Sequence, residues 1–482
     1  MDIAELDPVV VWEHFAVLCR IPRPSLHEQA VRDHLKDWAL QLGLDTRVDA
    51  TGNLIIKKPA TPGMEKAKGV ILQGHLDMVC QANSGTAHDF TRDPIRPVLK
   101  DGWLIAEETT LGADNGIGVA MAMAVLSSKD LVHGPVEALF TLDEEEGMSG
   151  ARGLEPGLLS GEYMINLDTE CWGEFFIGCA GGIDVNVRRA YRSEAIPSDM
   201  TVCRLSLTGL EGGHSGADIH LGRGNANKIL VRLLNELAAV SEIRLSSYKG
   251  GNVRNAITRE AFAIVAIPTK DMARIESELD RFQQVMRQEL KGIDDGITVK
   301  IDAARADTVM ARADQLAILR ALHVTPYGVK ALSCRVPGVV ETSNNLGVVE
   351  INDGKLSAVM LVRSLIDSGM LALAEEIRSL YRLIDADVEF ENGYPGWAPN
   401  PDSSLLTLCQ KVFKQEFNAD STVKVIHAGL ECGLLGSKYP RMDMVSFGPN
   451  IRGAHAPGER LEVASVGSAW TLLKSILAQV PA

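Results

Sequence analysis

The chain has 482 residues, 46% hydrophobic and 23% charged, a composition that makes it globular and long enough for more than one core. Its formal charge of -15 excludes partners that demand a basic surface, nucleic-acid phosphates and anionic membranes among them, and leaves a small molecule as the expected partner. Eight cysteines with no CxxC pair and no regular spacing indicate free thiols in a reducing compartment, and an acidic N-terminus without a long apolar run predicts a cytoplasmic chain.

Along the first ~180 residues, short apolar runs alternate with helical patterns. GVILQGHLDMV (69–79), VEALFTLDEE (136–145) and YMINLDTE (163–170) each predict a strand running into a polar turn, and IGVAMAMAVLSS between the first two predicts a buried helix. Such alternation predicts an α/β domain on a mixed, mostly parallel sheet. From residue 187 the texture changes to an α+β layer. It comprises TVCRLSLTGL, a helix NANKILVRLLNELAAV with an apolar stripe at Leu230, Leu233, Leu234 and Leu237, a strand AFAIVAIP and a helix MARIESELDRFQQVMRQEL. A similar order then returns: LGVVEIN and KLSAVMLVRS as a hairpin, a helix LALAEEIRSLYRLI, and DVEFEN. This points to two copies of one motif. PGWAPNP (395–401) is the strongest linker signal, after which the α/β texture resumes. The expected organisation is a domain of residues 1–186 and 397–482 interrupted by an inserted domain of residues 187–396.

Ligands of an open α/β sheet bind beyond the carboxyl ends of its strands. Three predicted strands end there in His75 and Asp77, in Asp143 to Glu146, and in Asp168, while LGADNGIGVA puts Asp114 in a glycine-rich turn before the buried helix. Unpaired, these carboxylates would repel and be costly to desolvate. No Lys or Arg lies within the motifs, so a divalent metal is the natural counter-charge. Imidazole plus carboxylate suits zinc or a related ion, with manganese and cobalt left open. Each motif alone has a plainer alternative: a solvated acidic turn, a hydrogen-bonded structural histidine, or, for Asp114, a helix N-cap.

In order along the chain, GHLDMV, GADNGIG, TLDEEEGMSG, NLDTE, GGHSG and GAHAPGE resemble the motif series of the co-catalytic dinuclear zinc peptidases related to aminoacylase, carboxypeptidase G and peptidase T. With ETSNN, HAGLECGLL and NVRNAI, the chain is most similar to the aminoacyl-histidine dipeptidases of that group, also called carnosinases. The resemblance implies two divalent metals per chain: His75 and Asp168 on one, Glu145 and His455 on the other, and Asp114 bridging. It implies that Asp77 orients His75, that Glu144 is the general base, and that Asp143 and Glu146 are structural. In the inserted lid domain it implies oxyanion stabilisation by His214, often across a homodimer interface. Asn255 and Arg363 would grip the substrate, the arginine taking the terminal carboxylate although the local pattern places it at the start of a helix. Gly429 would offer backbone contact, His427 and Glu431 are left without a role, and Glu459 is structural. The implied activity is hydrolysis of Xaa-His dipeptides such as β-alanyl-histidine. A related hydrolase of N-acyl amino acids or tripeptides is the alternative. A non-catalytic metal-binding scaffold is disfavoured, because it would have no need of Glu144.

Overall fold

The computed structural model describes residues 3–482, which form two compact units. The first holds the residues up to Gly178, Pro399–Val425 and Leu430–Ala482; the second holds Cys179–Ala398 and the short return Ile426–Gly429. The second unit begins earlier than residue 187 because Gly181–Ala190 is one uninterrupted strand of its sheet.

The first unit is built on an eight-stranded sheet, ordered Asp45–Val48, Leu54–Lys58, Val136–Thr141, Val70–His75, Tyr163–Asn166, Asp443–Ser446, Glu174–Cys179 and Thr422–Ile426. Its four central strands, from Val136–Thr141 to Asp443–Ser446, are parallel, and the strands next to them on either side, Leu54–Lys58 and Glu174–Cys179, pair with them antiparallel. The parallel part is therefore the centre of a mixed sheet. Val70–His75 is buried along its whole length, as expected of a strand covered on both faces. On one face lies the helix Ala113–Ser127, apolar all round and almost wholly buried. Gly74 makes that contact possible, since a Cβ there would come within 2.3 Å of Asn115 Oδ1. A small four-stranded sheet carries the hairpin of Ile451–Arg452 and Arg460–Glu462, with His455 in its connecting loop.

The second unit is built on a nine-stranded antiparallel sheet, whose ninth strand, Gly328–Leu332, pairs with Val340–Asn352 off the main order, and it has four helices packed into its core. In space its strands run Thr298–Ala303, Met200–Thr208, Ala261–Pro268, Arg244–Gly250, Val340–Asn352, Lys355–Ser364, Gly181–Ala190 and Asp387–Tyr394. Each half is a split βαββαβ motif with spatial order 4-1-3-2, and the second strands of the two copies, Arg244–Gly250 and Val340–Asn352, pair at the middle. One copy is nested inside the other, between its first strand and its first helix. The stripe Leu230, Leu233, Leu234 and Leu237 faces the core, joined by Ile275, Phe282, Leu322 and Ile377 from the other three helices. Among the described residues no helix is long and apolar enough to cross a membrane, and no cysteine forms a disulfide.

Candidate active site

In the first unit the strand ends converge. His75 closes Val70–His75, Glu144 and Glu145 follow Val136–Thr141, and Asp168 follows Tyr163–Asn166. His75 Nε2 lies 3.1 Å from Asp114 Oδ1 and 3.4 Å from Asp168 Oδ1. His455 Nε2 lies 3.2 Å from the other Asp114 oxygen and 3.0 Å from Glu145 Oε2. Asp114 thus turns one oxygen to each of two histidine-carboxylate pairs.

Asp77 stands behind His75, with Oδ1 3.2 Å from Nδ1, and its two oxygens also receive the backbone N–H groups of Glu144 and Glu145 at 3.0 and 3.1 Å. One buried carboxylate therefore fixes both the imidazole and the turn that carries the two glutamates. Asp143 is buried and takes a left-handed φ of 54° at the start of this turn, while Glu146 is exposed.

Asp114 is not the cap of its helix. Its backbone is non-helical, and Glu459 takes the capping role by accepting hydrogen bonds from four successive N–H groups, Leu111 to Asp114, at 2.7–3.2 Å. The Glu459 carboxylate also suits the positive end of the helix dipole.

Three groups of donor atoms, each within 4.8 Å of one another, could hold a metal: His75–Asp114–Asp168, Asp114–Glu145–His455 and His75–Glu144–Glu145. Their electrostatics fit a cation. The carboxylates of Asp114 and Glu145 push His455 up to about 11. Burial presses His75 toward neutrality, yet Asp168, Asp114 and Asp77 outweigh it and hold the ring well above its ordinary value. Burial likewise holds Asp168 and Glu144 well above the usual carboxylate range, against the pull of His75. Glu145 Oε1 is buried without a hydrogen-bond partner. Excess protons and an orphaned oxygen mark the places that a divalent cation would take over, as metal binding to imidazole and carboxylate displaces protons.

The second unit gathers the other expected residues. His214 lies in a two-residue strand paired to Ala256, and its Nδ1 accepts from the backbone N–H groups of Gly216 and Ala217 at 3.2 and 2.9 Å. That fixes the proton on Nε2 and makes this nitrogen a donor. Asn255 is exposed beside it, its carbonyl accepting from Ser215 N–H at 2.8 Å.

Arg363 is not at a helix start. It belongs to the strand Lys355–Ser364, in register with Ser343 and Gly182, and is buried. Its Nη1 donates to Tyr394 Oη at 2.8 Å, its Nε has no partner, and no carboxylate among the described residues pairs with it. The return segment brings His427 to the same place, its Nε2 2.7 Å from Ser343 Oγ. Gly216 allows the close approach, since a Cβ there would lie 2.0 Å from the His427 carbonyl. Burial, with the Arg363 charge, lowers His427 to about 3 and keeps it neutral. Gly429 ends this segment.

Two groups escaped the sequence reading. One is the Glu459 cap. The other is a set of polar side chains inside the parallel sheet, Gln73, Thr141 and Asn166, all buried. Their signal was present: Gln73 interrupts VILQGH and Asn166 interrupts YMINLD, polar residues in strands buried along their length.

A sheet that delivers imidazoles and carboxylates around one shared aspartate, with a further glutamate beside them, defines a metal-dependent hydrolase. Comparison with known proteins makes this specific. Residues 71–479 match the model of Peptidase family M20/M25/M40. The chain is 44% identical to the cytosol non-specific dipeptidase of Escherichia coli (strain K12), over 100% of this chain and 99% of that protein. The crystal structure of aminoacylhistidine dipeptidase from Vibrio alginolyticus superimposes with a TM-score of 0.94 at 45% identity, covering 100% of this chain and 98% of that one. Aminopeptidase PepT from Bacillus cereus shares the fold, with a TM-score of 0.58 at 15% identity over 98% of this chain and 99% of that one. The chain belongs to peptidase family M20/M25/M40 and is a dipeptidase.

Proposed function

We propose that this dipeptidase acts on Xaa-His dipeptides, β-alanyl-histidine among them, and that it works in the cytoplasm as a homodimer paired through its second unit. The observation that carries the catalytic part is Asp114, which turns one oxygen to His75 and Asp168 and the other to His455 and Glu145. The preference for histidine is supported by the aminoacylhistidine dipeptidase it resembles at 45% identity. The E. coli relative, named non-specific, supports a range that extends to other short dipeptides.

His75, Asp114, Glu145, Asp168 and His455 are assigned to two divalent ions, zinc first. When bound, such a pair supplies Lewis-acid polarisation of the scissile carbonyl and eases deprotonation of a water. Glu144 takes the proton of the attacking water and passes it to the leaving amine, a role its raised proton affinity supports. Asp77 holds His75 and the Glu144 backbone in one frame. His214 offers its Nε2–H to the oxyanion, a donor of a kind worth about 3 kcal/mol of barrier. Arg363, a buried cation without an anion, takes the terminal carboxylate, with Asn255 and Gly429 lining the substrate. Recognition of a carboxylate one residue beyond the scissile bond selects dipeptides over longer chains.

The test is histidine released from β-alanyl-histidine and alanyl-histidine by the purified protein, before and after chelation and zinc restoration. Release that chelation abolishes and zinc restores is expected. No release from either substrate by zinc-loaded protein would overturn the histidine preference and redirect the search to N-acyl amino acids and other peptides.

A further inference from the structure

Beneath the strand ends that carry the metal-centre residues runs a continuous chain of buried side chains. Gln73, Asn166 and Ser446 sit side by side on three parallel strands, in register. Gln73 lies two residues before His75 and so on the same face of their strand, and Asn166 ends the strand that Asp168 follows by two residues. Ser446 Oγ donates to Asn166 Oδ1 at 2.5 Å, so its own proton is spent and Thr169 Oγ1, 2.6 Å away, is the donor to it. Asn166 Nδ2 donates to Gln73 Oε1, and Gln73 Nε2 donates to Glu431 Oε2 at 2.6 Å. Thr141, in register with His75 on the fourth strand, donates to the same oxygen at 2.7 Å. Every donor in the chain points toward Glu431, where it ends.

Glu431 is the first residue of the helix Glu431–Lys438 and only 1% exposed; its second oxygen is buried and has no hydrogen-bond partner. Its charge is felt at both Glu144 and Asp168. A buried carboxylate is costly unless its oxygens are hydrogen-bonded, and the chain supplies Oε2 with two donors, Gln73 and Thr141.

We propose that Glu431 is a positioning residue of the metal centre: as terminal acceptor of the chain through Gln73, Asn166 and Ser446, it fixes the strand ends that carry His75, Glu144 and Asp168. The proposal rests on the dinuclear reading above. It differs from a packing role in that the link is directional and passes through named hydrogen bonds. Supporting groups that orient metal ligands in this way commonly contribute about 10–100-fold to metal affinity.

The experiment compares full-length wild type, E431Q, E431M, S446A and the double variant E431M/S446A. It measures zinc affinity by competition with a chromophoric chelator, the thermal stability of the metal-free proteins, and kcat and KM at saturating zinc. E431M, which keeps the volume and removes the acceptor, is expected to bind zinc about 10–100-fold more weakly and to lose kcat more than KM. E431Q, whose carbonyl oxygen can still accept from Gln73 and Thr141, is expected to recover most of that affinity. S446A is expected to weaken zinc binding from the far end of the chain, and the double variant to be no worse than E431M, since members of one network are not additive. Unchanged zinc affinity in E431M, with only its metal-free stability lowered, would overturn the proposal and leave Glu431 a packing residue. E431Q as impaired as E431M would also overturn it, because charge rather than the chain would then be responsible. Wild type that takes up no zinc would remove the dinuclear reading itself, an outcome distinct from both.

Discussion

Glu144 and Glu145 are neighbours in sequence with different surroundings, because Asp77 pins both of their N–H groups and lets the side chains diverge. Glu145 meets His455, while Glu144 remains beside Asp168 and Glu431. Removing the base without changing shape, in E144Q, is expected to lower kcat by roughly 10²–10⁴-fold with zinc content unchanged, checked by assay and elemental analysis of one preparation. At Arg363 the expected loss is in binding. A charge-assisted contact to the substrate carboxylate is worth about 1.5–3 kcal/mol, so R363M should raise KM roughly 10–100-fold with a smaller change in kcat. R363K should recover only part, since a lysine lacks the planar fork. Arg363 also shows where sequence reasoning runs out: it closes an apolar run four residues before Asp367 opens a helix, and only strand pairing to Ser343 and Gly182 decides that it is strand and buried.

The strands and helices around the metal-centre residues were legible in the sequence because His75, Glu144, Glu145 and Asp168 each close or follow a short apolar run, and the all-apolar helix Ala113–Ser127 could only be buried. What holds that helix in place was not legible, since its cap comes from a residue hundreds of positions away. Glu459 satisfies four N–H groups at the helix start, those of Leu111 and Gly112 just ahead of it and of Ala113 and Asp114 in its first turn. E459A, which orphans them in a buried place, is expected to destabilise the protein by about 3 kcal/mol. Urea unfolding should show the loss in both the metal-free and the zinc-loaded protein. The repeated motif of the second unit was only half visible for a related reason. Its outer copy has its first strand, Gly181–Ala190, cut off from the rest by the whole inner copy, so the two motifs never line up as consecutive blocks of sequence.

At the scale of the molecule, stability should depend on acidity through residues far from chemistry. His14 packs edge-on against Trp38, bonds Ser127 Oγ at 3.1 Å, and is lowered by burial from 6.5 to about 4. Because its folded value lies below its unfolded one, the stability it contributes is present above pH 6.5 and is lost as the pH falls through about 4. That difference is worth up to about 3 kcal/mol. Wild type should therefore lose more stability than H14Q between pH 6.5 and pH 4, measured by chemical unfolding at each pH.

The order of strands in the first sheet has a further consequence for how the chain is made. Asp443–Ser446 lies between Tyr163–Asn166 and Glu174–Cys179, two strands synthesised long before it. Roughly 260 residues separate the earlier pair from the strand that joins them, which at ~5–20 residues per second leaves the gap open for roughly 13–50 s on the ribosome. During that interval two facing rows of unpaired backbone groups are exposed, the kind of edge that recruits foreign strands. A nascent chain stalled before residue 443 would carry a nearly complete second unit beside a split and adhesive first sheet, so this protein's dependence on chaperones should be greatest in the last moments of its synthesis.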